Sequence, residues 1–179
     1  MKRLLKILGY IFLSVVGVLI LAIIVFNSYY AVKNSKAKKK LAEVQILTEG
    51  NLKFRDLNNN GKLDIYEDSR QQIEKRVDDL LSQMRIEEKV GMMWHPPIGV
   101  GKKGEVLNKP NPKVFSLVSS LDVIVNKKIN HYNLFMVPGA KNLAEWYNKI
   151  QKIAEQTRLG IPISISSDPR HGIKRKRWC

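Results

Sequence analysis

At 179 residues, with 44% hydrophobic and 26% charged side chains, the chain has the size and composition of one globular domain at most. Its net charge of +15 sits at the ends: residues 1–40 carry eight basic and no acidic side chains, residues 173–179 carry four basic and none acidic, and only +3 is left for residues 41–172. With no stripe of Lys and Arg interleaved with aromatics, that balanced centre argues against a nucleic-acid partner, and the single Cys179 excludes an internal disulfide.

Leu8 to Phe26 runs nineteen residues without a charge. A helix of about that length, rising 1.5 Å per residue, nearly spans a hydrocarbon core about 30 Å thick, so residues 1–30 read as a single transmembrane helix. The alternative is a cleaved signal peptide. The run is longer than the usual apolar region of about 7 to 15 residues, and Asn27-Ser28-Tyr29-Tyr30 offers no small-x-small cleavage site, which favours an uncleaved anchor. Lys2, Arg3 and Lys6 precede the run, while Lys33, Lys36, Lys38, Lys39 and Lys40 follow it, a distribution that by itself puts the body on the cytoplasmic side. Residues 31–53 are Lys-rich with a short apolar patch at Val44 to Leu47, and read as a linker or short helix able to touch anionic head groups.

The sharpest local motif lies in residues 54–68. Asp56-Leu57-Asn58-Asn59-Asn60-Gly61-Lys62-Leu63-Asp64-Ile65-Tyr66-Glu67 fits the EF-hand-like pattern D-x-[DN]-x-[DN]-G-x5-E at every constrained position. Ca²⁺ is a hard cation that takes six to eight oxygens, and such a loop delivers them from Asp56, Asn58, Asn60, the Lys62 carbonyl, Asp64 and a bidentate Glu67. Gly61 supplies the sharp turn, and Leu63 stands where these loops carry an inward aliphatic residue. Asn-Asn-Asn-Gly is also good turn chemistry with no metal at all. No helical pattern precedes Asp56 and only three carboxylates are present, so the expected ion is structural.

From Ser69 to Met84 the apolar residues Ile73, Val77, Leu80, Leu81 and Met84 recur at spacings of three and four, one face of an amphipathic helix. Ile86 to Met93 reads as a second, shorter helix, and Trp94-His95-Pro96-Pro97 as a loop in which His95, without a partner at metal spacing, is incidental. Residues 96–130 contain four of the seven prolines and read as loops around one short element at Val114 to Val125. Asn133 to Val137 fits a buried strand closed by Pro138-Gly139. Ala140 to Thr157 carries Leu143, Trp146, Tyr147, Ile150, Ile153 and Ala154 on one helical face. In Ile161 to Ser166 β-branched residues alternate with polar ones, the pattern of a strand, and that strand runs into Asp168, Arg170 and His171. In α/β sheets the C-terminal ends of parallel strands face the active site, so these polar residues are candidates for binding.

Leu159-Gly160-Ile161-Pro162, then Asp168, then His171-Gly172 resembles the "LGIP…D…HG" signature of glycoside hydrolase family 3, the β-glucosidase family. Glu74 to Met93, with Arg76-Val77-Asp78-Asp79-Leu80-Leu81 and Glu87-Glu88-Lys89-Val90-Gly91-Met92-Met93, is similar to that family's opening helix. The resemblance implies a (β/α)8 barrel, a retaining exo-glycosidase and a glycoside substrate met outside the cytoplasm. It therefore favours an extracytoplasmic body on a single-pass anchor, against the lysine distribution. It also implies that Asp168 hydrogen-bonds hydroxyls of the terminal sugar, whereas His171 and Gly172 shape the loop and Arg170 has no assigned role.

A barrel of this kind takes about 250 residues, so residues 69–172 are expected to supply only its beginning, roughly three of eight strands. Residues 173–179, Ile-Lys-Arg-Lys-Arg-Trp-Cys, match nothing in the family and read as an aberrant basic tail. The expectation is an α/β fold, the truncated start of a TIM barrel behind one transmembrane helix, with neither catalytic carboxylate and no hydrolysis by this chain. The other reading is a non-enzymatic, membrane-tethered calcium-binding module.

Overall fold

A computed structural model describes residues 2–114, 116–134 and 138–167. Helices and strands are mixed. The first helix, α1, spans Lys2–Lys38. None of its most apolar 18-residue window is buried, and the helix is long and apolar enough to span a membrane. The helix passes the expected boundary at residue 30 because Asn27 to Lys38 contains no Gly or Pro to stop it.

Its last turns pack onto the body. Ala37 is 1% exposed, Asn34 donates to the Asn108 carbonyl at 2.6 Å and accepts from Ser119 Oγ at 2.9 Å, and Lys33 pairs with buried Asp122 at 3.0 Å. Of residues 31–53, read as a linker or short helix, the part up to Lys38 continues α1 and docks on the core, and Gln45–Glu49 forms a strand.

That strand, β1 (Gln45–Glu49), pairs antiparallel with β2 (Leu52–Asp56), from Gln45↔Asp56 to Glu49↔Leu52. Gly50, at φ 59°, is the first of two connecting residues, the position at which a type II′ hairpin turn demands glycine. Phe54 and Asp56 are buried, and Lys53 and Arg55, which alternate with them, are exposed, as period two requires.

After the loop at 57–67 come α2 (Ile73–Gln83) and α3 (Ile86–Met92). The amphipathic pattern predicts α2 well, but not its environment: no α2 residue is buried, and Ile73 and Val77 are 71% and 47% exposed. Among the described residues nothing covers Ile73 and Val77, whereas Leu80 is half-buried and Met84, just past the helix, is buried.

Next are a 3₁₀ turn (Pro112–Val114) and a short π-helical segment (Asp122–Asn126) whose Val123, Ile124 and Val125 are buried. Strand β3 (His131–Leu134), helix α4 (Ala140–Glu155) and strand β4 (Ser164–Ser167) then form a βαβ unit, with β3 and β4 parallel from His131↔Ser164 to Leu134↔Ser167. On the other side of β3 Pro97 makes a parallel bridge to Asn133, with Ile98 N–H donating to the Asn133 carbonyl at 3.1 Å. The core lies beneath this unit: Tyr132, Trp146, Ile150 and Ala154 are fully buried, joined by Ile98, Leu134 and Ile163.

Strand β4 begins later than the Ile alternation predicts. Ile163 is buried, but its backbone N–H and carbonyl are taken by the Gln151 side chain at 3.0 and 2.6 Å, so the ladder to β3 starts one residue on. The expected strand at 133–137 begins two residues earlier, at His131, and residues 135–137 lie outside the described residues. Two two-stranded sheets are present among the described residues, one antiparallel and one parallel.

Candidate functional site

Two places carry the chemistry anticipated from sequence, the C-terminal end of β4 and the loop at 56–67. Asp168, Arg170, His171 and Gly172 lie outside the described residues, as does the tail at 173–179. What is described is the approach to Asp168. Ser166, on β4, hydrogen-bonds His95 Nε2 at 2.9 Å across 71 positions of sequence. His95, read as incidental, thus stands beside the strand end that carries the candidate sugar ligand. No sequence signal marks it, because the contact depends on the 94–97 loop lying next to β3 and β4. At the other end of the strand His131 Nδ1 contacts Ser164 Oγ.

The turn that feeds β4 is fixed by charge and by shape. Arg158 donates Nε to Glu88 Oε1 at 2.9 Å, pairs with the other carboxylate oxygen through Nη2, and gives Nη2 also to the Gln83 carbonyl at 2.9 Å. Burial works to raise the Glu88 carboxyl, but the Arg158 guanidinium and the Arg85 N–H outweigh it and hold the group below its usual value. Gly160 takes φ 59°, and a Cβ there would come within 2.9 Å of the Leu57 side chain, so the turn sits directly on the loop at 56–67. Arg55 at the end of the hairpin pairs with Glu155 of α4 in the same neighbourhood.

In the loop the six anticipated donors are brought into one network. Asp56, 1% exposed, accepts from Asn60 N–H at 3.0 Å and Gly61 N–H at 2.8 Å. Glu67 accepts from Leu57 N–H at 2.6 Å and Asp64 N–H at 3.2 Å, closing the ends of the loop on each other. Both Asn58 Nδ2 and Asn60 Nδ2 reach Asp64 Oδ2, at 2.6 and 2.7 Å. Asn60 Oδ1 also accepts from Lys62 N–H at 2.8 Å, leaving that exposed residue to contribute through its carbonyl. Gly61 turns at φ 76° and Asn59 at φ 56°, both in the left-handed region. Leu63 is half-buried, in keeping with its expected inward role.

Helix α2 grips the far side of the loop. Asp79 Oδ2 accepts from Tyr66 N–H at 3.0 Å, Arg76 donates to the Tyr66 carbonyl at 3.1 Å, and Asn58 donates to Gln83 Oε1 at 3.1 Å. Burial, and then the charges of Glu67, Asp64 and Asp56, push the Tyr66 phenol well above its ordinary range. Burial likewise raises the Glu67 carboxyl against the pull of its two backbone N–H donors. Among the described residues no three His, Cys, Asp or Glu side chains gather as a metal-holding group. The donor set at 56–67 has the right number of oxygens for Ca²⁺ only when Asn58, Asn60 and the Lys62 carbonyl are counted with its three carboxylates.

No protein-family model matches the chain. Curated proteins do match it. It is 40% identical over 116 residues to "Probable beta-glucosidase C" of Aspergillus oryzae, covering 63% of this chain and 17% of that protein. To "Beta-glucosidase C" of Emericella nidulans it is 40% identical over 111 residues, 61% of this chain and 16% of that protein. The "Periplasmic beta-glucosidase/beta-xylosidase" of Dickeya chrysanthemi is 36% identical over 126 residues, 70% of this chain and 19% of that protein.

Over that stretch the chain is similar to proteins named β-glucosidase.

The resemblance to glycoside hydrolase family 3 read from Glu74–Met93 and Leu159–Gly172 agrees with these relatives. The chain spans less than a fifth of the length of each of these three curated relatives, and its long apolar α1 precedes a body similar to a protein named periplasmic.

Proposed function

We propose that residues 69–172 are the opening of a (β/α)8 barrel belonging to a retaining, exo-acting glycoside hydrolase of β-glucosidase type, in which Asp168 binds hydroxyls of the terminal sugar. The observation that carries this reading is the 36–41% identity to proteins named β-glucosidase over 60–70% of the chain. Three parallel segments at Pro97, β3 and β4, two of them joined through α4, support it as the way such a barrel starts. Asp168 follows directly on the C-terminal end of β4, the end at which barrel enzymes bind substrate.

A retaining mechanism needs two carboxylates about 5 to 5.5 Å apart, one as nucleophile and one as acid/base. The family resemblance carries neither onto this chain, so residues 1–179 alone are expected to lack turnover. In this reading α1 is a single-pass anchor and the body is extracytoplasmic, where a glycoside substrate is met.

The test is an assay on aryl β-glucoside and aryl β-xyloside. The 179-residue polypeptide should be inactive, and a chimera that carries its residues 69–172 in place of the matching segment of a curated relative should be active. A folded but inactive chimera would contradict the reading, as would turnover by the short chain that survives repurification. The other reading, a tethered calcium module without hydrolytic activity, draws its support from the twelve-residue loop; it gains if the chimera is inactive while the metal test below succeeds.

A further inference from the structure

We propose that the loop from Asp56 to Glu67 holds Ca²⁺, with Asp56, Asn58, Asn60, the Lys62 carbonyl, Asp64 and Glu67 as ligands, and that the ion locks the β1–β2 hairpin to α2 and to the turn entering β4. The proposal is independent of the hydrolytic reading.

Three carboxylates lie within twelve residues, and none of them belongs to any of the four ion pairs found among the described residues. One of them, Asp56, is 1% exposed and has only backbone N–H partners. A buried carboxylate without a counter-charge carries a desolvation cost that a cation removes.

The side chains of Asn58, Asn60 and Asp64 converge on one point, Asp64 Oδ2, where two amide N–H groups stand in for positive charge. Asn58 Oδ1 and Asn60 Oδ1 lie in the same loop, and each accepts one backbone N–H, from Asn60 and Lys62, which leaves each oxygen a second lone pair for a cation.

A second observation comes from outside the donor set. The Tyr66 hydroxyl is buried and makes no hydrogen bond of ordinary length, and its residue, between Asp64 and Glu67 in the loop, is 7% exposed. A buried hydroxyl left unpaired is costly. The ninth position of such loops often acts through a metal-bound water, and a water on the ion would supply the missing partner.

The site is placed to act on structure. Asp56 ends β2, the Asn58 amide reaches Gln83 of α2, Tyr66 is held by Asp79 and Arg76, and Leu57 packs under Gly160. An ion that fixes these residues therefore also fixes the approach to β4. Three carboxylates with two amides place the affinity at the weak end of the range for such loops, about 10⁻⁴ to 10⁻³ M, the range of extracellular modules.

The experiment uses the full chain in detergent micelles, with Tb³⁺ excited through the protein's aromatic side chains and displaced by Ca²⁺. Saturable emission reversed by millimolar Ca²⁺ is expected, weakened about 10- to 100-fold in apparent affinity by Glu67→Gln, which keeps an oxygen for the Leu57 N–H. Tyr66→Phe should dim the emission while Ca²⁺ still raises the thermal midpoint of the same variant. Because Glu67→Gln could disturb folding, Asp64→Asn serves as a second variant, with circular dichroism checking both. Emission that does not saturate, or that is unchanged in both folded variants, would overturn the proposal.

Discussion

The loop region from Asp56 to Gln83 and the βαβ region from Ile98 to Ile163 solve the problem of staying folded in different ways. In the first, side chains of Asp56, Asn58, Glu67 and Asp79 are spent on backbone and amide hydrogen bonds, and α2 buries no residue. In the second, Tyr132, Trp146 and Ile150 are fully enclosed, and long-range polar contacts such as Asn130 to the Ile161 carbonyl and Lys149 to the Gly104 carbonyl accompany that apolar core. Apolar burial depends on shape and volume, whereas a hydrogen-bonded polar loop depends on charge state and ions. The first region should thus respond to solution conditions, and the second to cavities.

The largest effect expected from a single substitution is in the core. Trp146→Ala should cost about 3–5 kcal/mol in chemical denaturation and Ile150→Ala about 2–5 kcal/mol, with no dependence on Ca²⁺. A loss under about 1 kcal/mol at Trp146 would break the comparison on its apolar side.

Gly160→Ala comes next. It meets both a left-handed φ of 59° and a Cβ contact of 2.9 Å with Leu57, and should cost about 2 kcal/mol or more. Gly50→Ala has the same φ with nothing within 4 Å, so strain alone should cost about 1–2 kcal/mol. Equal losses at the two sites would show that the turn before β4 does not rest on the loop.

Glu88→Gln should weaken the pair with Arg158 by about 1–2 kcal/mol at neutral pH, reduced because the arginine is partly exposed. Since the folded Glu88 carboxyl titrates below its ordinary 4.5, its contribution is complete above that value and is lost as the pH falls through it towards the lower folded one. Urea midpoints measured from pH 7 down to pH 3 should converge for the parent and Glu88→Gln. A gap that stays constant would mean that Arg158 is held by shape rather than by charge.

Sequence periodicity was sufficient for α4 and for the existence, though not the bounds, of the strands on either side of it, because apolar spacing reports which face an element must bury. It placed the loop by residue type at each position. It failed for α2's surroundings, since an amphipathic stripe shows that a face wants cover and not what covers it. The β1–β2 hairpin was legible in Gly50-Asn51 between two five-residue runs, but the flanking lysines drew it into a linker reading. The late start of β4 and the contact between His95 and Ser166 were not legible at all, as both depend on side chains that meet only after folding.

Hydrogen exchange of the full chain in micelles, with and without Ca²⁺ at about five times its Kd, is the most direct test of the two-region account. Protection is expected to rise between Phe54 and Gln83 and at the turn Arg158 to Gly160, and to stay unchanged at Tyr132, Trp146 and Ile150. Uniform protection across both regions, or none in the loop, would contradict it.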